Sequence, residues 1–159
     1  MRKQLLMLGL LASLSAFAAV DPVSSQKLEL KPGWNLVTLT RPIVAESVTL
    51  FLSLKPMMLD AWNKCYVRCT SKDDIKIGVG YWIFSRTEQP PIDLVHEQTQ
   101  TSYETAGLTN GWNLVGMANN STWMSQADEI WQWLDGMFQT IAKEELPTGG
   151  AYWVNVNTL

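Results

Sequence analysis

The most constraining feature of this chain of 159 residues is a pentapeptide that occurs twice. Gly-Trp-Asn-Leu-Val occupies residues 33–37 and returns at residues 111–115, and a Tyr-Trp pair follows each copy, at residues 81–82 and 152–153. Self-similarity over such an interval indicates that one supersecondary unit is built twice. The sequence therefore predicts two related halves before any residue is assigned a role.

Alignment of the two copies pairs most of the tryptophans. Of the 8 tryptophans, six form matched pairs: Trp34 with Trp112, Trp62 with Trp133, and Trp82 with Trp153. Because these residues belong to the repeated pattern, we predict that they serve packing, and that Gly33 and Gly111 are structural in the same way. Trp123 and Trp131 have no partner in this alignment, so the repeat does not explain them.

Local patterns around the pentapeptides are typical of β-strands. Residues 34–39 alternate in the manner of a strand that is buried largely on both faces. Gly33 and Gly111 directly precede the repeated strands, after Lys31-Pro32 and Thr109-Asn110. We predict that both glycines adopt the positive φ of a tight turn.

The clearest hairpin is predicted in the second copy. Asp135-Gly136 separates two β-prone runs, and this dipeptide favours a two-residue turn. Such a turn places Trp133 opposite Phe138 and Trp131 opposite Thr140. Both indoles would then share one face of the sheet, because alternate residues of a strand point the same way.

These patterns predict a mainly β fold of two tandem, pseudo-symmetric β repeats, with hairpins forming a small sandwich or barrel. At most one short helix is expected in each repeat, at residues 45–54 and 122–129. The expected boundaries are a signal peptide at residues 1–19, a first β repeat at 20–89, a linker at 90–102 and a second β repeat at 103–159.

The first residues are typical of an export signal. Arg2 and Lys3 precede an apolar run, and Ala16-Phe17-Ala18 fits the small-x-small pattern of a cleavage site. The uncharged run of about fifteen residues is shorter than the ~20 residues that span a bilayer, so we expect cleavage rather than a membrane anchor. The expected location is periplasmic or secreted, in a bacterium, with no transmembrane anchor after cleavage.

Charge argues against two classes of partner. Without Arg2 and Lys3, ten of the 12 basic residues remain against 15 acidic ones, and they are scattered along the chain. Nucleic acids and anionic membranes both require a concentrated positive surface. We therefore expect neither of them as a partner.

The two cysteines, Cys65 and Cys69, leave several thiol states open. A disulfide is the usual fate in an exported protein, but residues four apart in one extended strand lie ~13 Å apart, beyond the ~7 Å limit for a bridge. The alignment puts Lys64-Cys65 at a turn and Cys69 on the returning strand. An intrachain disulfide, free thiols and an intermolecular bond all remain open, and a metal site is not expected because soft ligands are too few.

Catalytic patterns are weak throughout. His96 is the only histidine, it has no carboxylate on its own strand face, and we interpret it as a solvated linker residue. The acid pairs Asp73-Asp74 and Glu144-Glu145 could serve glycoside hydrolysis, but adjacent acids are ordinary in loops. We expect no enzyme activity, no cofactor and no metal.

The repeated elements resemble a module found in many secreted and surface proteins of bacteria. The resemblance rests on the Gly-Trp-Asn-Leu-Val strand, a central Trp-bearing hairpin and a final strand of the Gly-Tyr-Trp-Val type, and it covers both halves of the mature chain. It implies an exported, β-rich accessory domain without assigned catalytic residues. Copy one departs from the pattern in a seven-residue insertion, in its two cysteines and in Ile83, where copy two has Val154.

Binding is the function class that these features favour. We predict an exported, non-catalytic binding or structural accessory module that acts through contacts with an envelope or extracellular protein. The alternative is a carbohydrate-binding module that holds a glycan with exposed tryptophans of the second repeat. Its candidate ligand-binding residues are Trp123, Trp131, Asn119 and Asn120. A carboxylate-dependent hydrolase is the distant alternative.

Overall fold

The computed structural model describes residues 24–60, 62–98, 107–118 and 121–157. Within these ranges the elements, in chain order, are β1 (Ser25–Leu28), β2 (Gly33–Thr38), α1 (Ala45–Ser53), β3 (Met57–Asp60), β4 (Cys65–Arg68), β5 (Gly80–Ser85), β6 (Ile92–Val95), β7 (Gly111–Gly116), β8 (Glu129–Leu134), β9 (Met137–Thr140) and β10 (Ala151–Val156). Short 3-10 turns occupy Lys72–Asp74, Trp123–Ser125 and Lys143–Glu145. The mainly β class predicted from the sequence is confirmed.

Two four-stranded sheets repeat one strand order. In repeat one the order is β2-β5-β3-β4, and in repeat two it is β7-β10-β8-β9. Each sheet thus places the first and last strands of its repeat side by side and adds the central hairpin next to the last strand. A separate two-stranded sheet pairs β1 with β6.

The pairing of the first and last strands has the same register in both repeats. Leu36 of β2 lies opposite Trp82 of β5, and Leu114 of β7 lies opposite Trp153 of β10. Each pentapeptide therefore pairs antiparallel with the strand that carries the Tyr-Trp pair. The two copies of the motif are hydrogen-bonded neighbours of their own Tyr-Trp strands, which is why they recur together.

The central hairpin of repeat two matches its prediction. Trp133 lies opposite Phe138 and Trp131 lies opposite Thr140. The turn residues Asp135 and Gly136 have φ angles of 50° and 84°. Two consecutive positive φ angles are the geometry of a type I′ turn, whose twist matches that of the flanking strands.

The central hairpin of repeat one differs from its prediction. β3 ends at Asp60 and β4 begins at Cys65, so the predicted turn at Lys64-Cys65 is wrong. Met57 lies opposite Trp82, as Trp131 lies opposite Trp153. Met57 therefore occupies the position of Trp131.

A longer connection explains the shift in repeat one. The Asp60 carboxylate accepts hydrogen bonds from the backbone N–H groups of Trp62 and Asn63, at 2.9 and 3.1 Å, and holds the loop between β3 and β4. The extra residues of repeat one are thus divided among several loops. An alignment that places the whole insertion in one loop misassigns this hairpin.

The core of repeat one lies between its four-stranded sheet, α1 and the β1-β6 sheet. Tyr81 is fully buried, and the ring of Phe51 on α1 meets it edge-on with centroids 5.3 Å apart. Val48 and Leu52 pack on the same core, so one stripe of α1 faces inward. The predicted helix at residues 45–54 is confirmed.

The segment predicted as a linker contains structure. Ile92–Val95 form β6, and Leu94 is fully buried in the core of repeat one. The backbone N–H of Val95 donates a hydrogen bond to Ser47 Oγ on α1 at 2.8 Å. Repeat one therefore extends beyond residue 89, because β6 covers the core that a single four-stranded sheet would leave open.

Within the described part of the chain, repeat two covers its core with fewer elements than repeat one. In place of a helix, the connection from β7 to β8 forms the 3-10 turn Trp123–Ser125. Trp123 is 2% exposed and packs on Tyr152 with ring centroids 6.2 Å apart. The predicted helix at residues 122–129 is limited to this one turn.

The two repeats contact each other through equivalent residues. Thr38 and Gly116 end the two pentapeptide strands, and a Cβ added at Gly116 would overlap the Thr38 side chain. A contact between equivalent positions is what a pseudo-twofold relation produces.

Two polar contacts between the repeats follow the same relation. Lys31 Nζ lies 3.4 Å from Asp135 Oδ1, and Lys64 Nζ lies 3.0 Å from Thr109 Oγ1. In both cases the residues before one pentapeptide meet the hairpin turn of the other repeat. The two halves therefore touch reciprocally.

Candidate functional site

One short turn in each repeat explains the repeated pentapeptide. Gly33 and Gly111 have φ angles of 99° and 84°, as predicted. The side-chain amide of Asn35 accepts from the backbone N–H of Lys31 at 2.9 Å and donates to its carbonyl at 2.8 Å. Asn113 makes the same two bonds to Thr109, at 2.9 and 2.7 Å. Glycine and asparagine thus fix the turn, and the tryptophan between them faces the other side of the strand.

The Tyr-Trp pairs present one ring to each face of the sheet. Tyr81 and Tyr152 point into the two cores, where burial raises the pKa of both hydroxyls, that of Tyr152 to about 12. The Tyr81 hydroxyl donates to the carbonyl of Lys76 at 2.9 Å, and that of Tyr152 donates to the equivalent carbonyl of Pro147 at 3.0 Å. Alternation along the strand then directs Trp82 and Trp153 to the outer face.

Four equivalent positions in each sheet contribute side chains to its outer face. In repeat one they are Trp34, Met57, Tyr66 and Trp82, and in repeat two they are Trp112, Trp131, Phe138 and Trp153. Each strand of a sheet contributes one of the four. We call the surface formed by these eight residues and Trp133 the aromatic groove.

The rings of the aromatic groove form a continuous series of contacts. Successive centroid distances are 6.3 Å for Trp34–Trp82, 5.1 Å for Trp82–Trp133, 4.9 Å for Trp133–Phe138, 6.4 Å for Phe138–Trp131, 6.1 Å for Trp131–Trp112 and 6.1 Å for Trp112–Trp153. The rings meet edge-on, a geometry that adds about 0.5–1.5 kcal/mol per pair beyond burial.

Both repeats build the aromatic groove. The Trp133 Nε1–H donates to the backbone carbonyl of Trp34 at 2.9 Å, and Trp133 is also the ring that meets Trp82. An indole of repeat two is therefore held by the pentapeptide strand of repeat one. The relative position of the two repeats fixes the shape of the groove.

The aromatic groove contains two adjoining cavities. The first, of about 350 Å³, is lined from both repeats, and the second, of about 300 Å³, lies on repeat two. Phe138 and Trp153 line both cavities. Tyr66 contributes the only hydroxyl among their lining residues, and it accepts from Trp82 Nε1–H at 3.2 Å. The groove can therefore bind apolar groups but offers little acid or base chemistry.

The rims of the aromatic groove are open to solvent. The exposed fraction is 46% for Trp34, 40% for Trp112 and 39% for Phe138. Trp131 is partly buried, and its Nε1–H donates to Glu129 Oε1 at 2.7 Å. Large exposed apolar patches are uncommon on monomeric proteins and usually mark an interaction surface.

Two tryptophan assignments made from the sequence are corrected by these positions. Trp62, predicted to serve packing, is 90% exposed in the loop between β3 and β4. Leu59, which lies opposite Tyr66, takes the position that Trp133 has opposite Phe138. Equal spacing from the Tyr-Trp pair is misleading here because the two loops differ in length.

Trp123 is a core residue rather than a surface ligand contact. Its Nε1–H donates to the buried carbonyl of Gly116 at 3.1 Å, and it packs on Tyr152 as Phe51 packs on Tyr81. Of the two candidate ligand-binding residues that the structure describes, Trp131 lies in the aromatic groove and Trp123 does not. Asn119 and Asn120 lie outside the described residues.

The structural tryptophans form much of the site. Trp34, Trp82, Trp112, Trp133 and Trp153, predicted as packing residues, all line the aromatic groove. The sequence predicts Phe138 only as the residue opposite Trp133, and it does not single out Met57 or Tyr66. Tyr66 and Arg68 are two residues apart, as are Phe138 and Thr140. This period of two is the signal that could have placed each pair on one face of its strand.

The cysteines are free thiols in the structure. Cys65, at the start of β4, is exposed, and Cys69, just after β4, is buried. Burial, with the nearby Asp74 carboxylate, raises the pKa of Cys69 to about 11. A buried neutral thiol behaves as a small apolar side chain rather than as a nucleophile.

The prediction of a solvated His96 is wrong. His96 is 7% exposed, and its Nδ1 lies 3.2 Å from Ser24 Oγ, which also accepts from Arg41 at 3.0 Å. Burial and the Arg41 charge lower the pKa of His96. No carboxylate among the described residues orients the imidazole, so the serine–histidine contact lacks the third group of a catalytic triad.

The acid pairs occupy equivalent turns. Asp74 Oδ2 accepts from the backbone N–H groups of Thr70 and Ser71, at 2.7 and 2.9 Å, and these bonds lower its pKa. Glu144 and Glu145 lie in the equivalent turn of repeat two and are exposed. Asp74 thus stabilises its own loop.

Among the described residues, no group of three His, Cys, Asp or Glu side chains could hold a metal ion. Over the same ranges, no helix has the length and apolar character that crossing a membrane requires. Comparisons of the chain with protein-family models, with curated proteins and with solved structures found no match.

Proposed function

We propose that the protein is an exported, non-catalytic binding module whose aromatic groove holds apolar side chains of an envelope or extracellular protein. The observation that carries this proposal is the unbroken series of seven contacting rings across both repeats. Trp34 and Trp112 remain 46% and 40% exposed in it. Binding sites in proteins are enriched in such aromatic anchors.

The edge-on packing of the rings favours a protein partner over a glycan. Sugars stack on the flat face of an indole, and a linear glycan needs several such faces in parallel. Trp82 and Trp133 instead stand at 87° to each other, and Trp112 and Trp131 at 88°. Such rings offer pockets between their edges, which suit compact aliphatic side chains.

A second candidate ligand, a glycan, is favoured by one feature beside the groove. A cavity of about 610 Å³ lies next to Trp34 and is lined by the charged residues Glu29, Lys31 and Asp135. An exposed indole beside polar groups is the usual combination for a sugar. Lys31 and Asp135 already pair with each other at 3.4 Å, which reduces the polar groups that a sugar could use.

A tryptophan-fluorescence titration tests the proposed function. The probes are a short capped peptide in which valine alternates with threonine and, separately, soluble oligosaccharides. We expect the peptide to change the emission, and Trp131→Ala to weaken binding at least about tenfold. Trp62→Ala is the matched control, because Trp62 is 90% exposed and lies outside the groove; its affinity should stay unchanged.

A response to oligosaccharides but not to the peptide would replace the protein partner by a glycan. Equal affinities of the Trp131→Ala variant and the unchanged protein for the peptide would contradict the groove as the site. The predicted signal peptide lies outside the described residues. N-terminal sequencing of the protein from a bacterial periplasm or medium tests it, and an intact Met1 would contradict export by cleavage.

A further inference from the structure

Among the residues that the structure describes, no strand pairs with the outer edge of β9 in the repeat-two sheet. β9 hydrogen-bonds to β8 on one side, and it is the last strand in the order β7-β10-β8-β9. All four of its residues, Met137–Thr140, are exposed. An exposed edge of this kind is a template for a further strand.

The hydrogen-bond register shows which backbone groups point outward. The N–H of Ile141 donates to the carbonyl of Ile130 at 3.0 Å, so this pair and every second pair from it carry the bonds between β8 and β9. The pairs at Phe138 and Thr140 lie between them. The N–H and C=O groups of Phe138 and Thr140 therefore face away from β8, towards the free edge.

The same two residues direct their side chains to the aromatic groove. Phe138 lines both cavities, and Thr140 lies opposite Trp131 on that face of the hairpin. A strand that bonded to Phe138 and Thr140 would place its own opposing side chains on this face too. One edge thus supplies backbone bonds and an apolar surface at matching positions.

We propose that an extended segment of the protein partner adds to β9 as a fifth strand and places apolar side chains, at alternate positions, in the aromatic groove. This inference rests on the proposed function and specifies how the partner binds. Main-chain bonds supply affinity in such complexes, and pockets for alternate side chains supply selectivity.

Repeat one has the equivalent edge, with one difference. The N–H of Cys69 donates to the carbonyl of Pro56 at 2.9 Å, so Tyr66 and Arg68 of β4 point their backbone groups outward, like Phe138 and Thr140. A charged side chain on an edge strand opposes strand addition. Arg68 provides such a charge, whereas Met-Phe-Gln-Thr of β9 carries none. Because β4 carries this charge and β9 does not, β9 is the better edge for the added strand.

A flexible segment fits β9 better than a second copy of this chain. Two β9 strands paired with each other would share only four residues each. A stable interface between folded proteins buries about 1,200–2,000 Å², which so short an edge does not approach. An extended segment can instead follow the edge and fill the adjoining cavity of about 300 Å³.

Substitution by proline tests strand addition directly. Thr140→Pro removes an outward N–H that β8 does not use, and Arg68→Pro does the same at the equivalent position of β4. With the capped valine–threonine peptide, Thr140→Pro should weaken binding at least about tenfold, while Arg68→Pro leaves it unchanged. Amide exchange at Phe138 and Thr140 of the unchanged protein should slow when the peptide is bound.

The outcomes separate this inference from the proposed function. If the peptide binds Thr140→Pro as it binds the unchanged protein, or if exchange at Phe138 and Thr140 is unaffected, strand addition is wrong and the groove still stands. Should Thr140→Pro fail to fold, the exchange measurement decides alone. If the unchanged protein does not bind the peptide, the proposed function and the strand inference both fail.

Discussion

The two repeats share one ladder of strands but differ in what lies on each side of it. On the inner face, repeat one adds α1 and the β1-β6 sheet, while the described residues of repeat two place one 3-10 turn, Trp123–Ser125, over its core. The core tyrosines, Tyr81 and Tyr152, are buried alike. The shared part of the design is thus the sheet and its tyrosine, and the covering layer is free to vary.

The outer faces also differ, and here repeat two has more of the aromatic side chains. The positions of Met57 and Leu59 in repeat one hold the indoles of Trp131 and Trp133 in repeat two, and Phe138 replaces Tyr66. Repeat two therefore contributes more rings to the aromatic groove than repeat one does.

The largest effect is expected at the rings that close the two cores. Trp123→Ala and Phe51→Ala each leave a cavity beside a buried tyrosine and should lower the free energy of unfolding by about 3–5 kcal/mol. Trp62→Ala, at an exposed position, should change it by less than about 0.5 kcal/mol. Urea denaturation measures all three. A small effect of Trp123→Ala beside a large one of Phe51→Ala would show that the two rings are not equivalent.

The contact between equivalent positions gives the next effect. Gly116→Thr overlaps Thr38 and should cost about 3 kcal/mol, because a packed interface does not accept the added atoms. Thr38→Gly combined with Gly116→Thr exchanges the two residues and should recover part of the loss. A thermal melt of Gly116→Thr that matches the unchanged protein would contradict the packing of the repeats described above.

A smaller difference is expected between the two core tyrosines. The Tyr81 hydroxyl accepts from the backbone N–H of Lys76, at 2.6 Å, and donates to the Lys76 carbonyl. Among the described residues, the Tyr152 hydroxyl has one bond, to the carbonyl of Pro147. Tyr81→Phe leaves a partly buried N–H unpaired and should cost about 2 kcal/mol, against about 1 kcal/mol for Tyr152→Phe. Equal losses in chemical denaturation would show that the two loops are anchored alike.

The smallest effect is a pH dependence confined to repeat one. Burial and Arg41 lower the pKa of His96 from 6.5, so the unfolded chain takes up the proton first. The contribution of neutral His96 to the free energy of unfolding is fully present above the pKa of the unfolded chain. It declines as the pH falls through 6.5 towards the lower pKa of the folded protein. His96→Asn should therefore lose less stability between about pH 8 and about pH 5 than the unchanged protein. Parallel pH profiles of the two proteins would contradict this.

Sequence signals were sufficient where they are local. The Asp135-Gly136 turn, the helix from Ala45 and the positive φ of Gly33 and Gly111 all depend on a few neighbouring residues. Trp62 was misassigned because an insertion shared among several loops leaves the distance to the Tyr-Trp pair misleading. Residues of the two repeats are equivalent when they hold the same position in the strand pairing, and equal distance along the sequence from the Tyr-Trp pair is not enough.

The candidate site was less predictable because it depends on which face of each sheet is covered. Trp34 and Val37 are both apolar, and the sequence does not tell which of them meets the core. The placement of α1 settles it for repeat one, since Val37 packs on that core and Trp34 does not. A tryptophan that recurs in both repeats can lie on the outer face of each sheet as readily as in each core.

The indole N–H resonances test the central claim, that the aromatic groove is the binding surface, most directly. The 8 tryptophans give separate probes in a ¹⁵N-labelled protein titrated with the capped valine–threonine peptide. Shifts at Trp34, Trp112, Trp131 and Trp133, with none at Trp62 and Trp123, are the predicted result. Shifts that are largest at Trp62, or no shift at any groove indole, would contradict it.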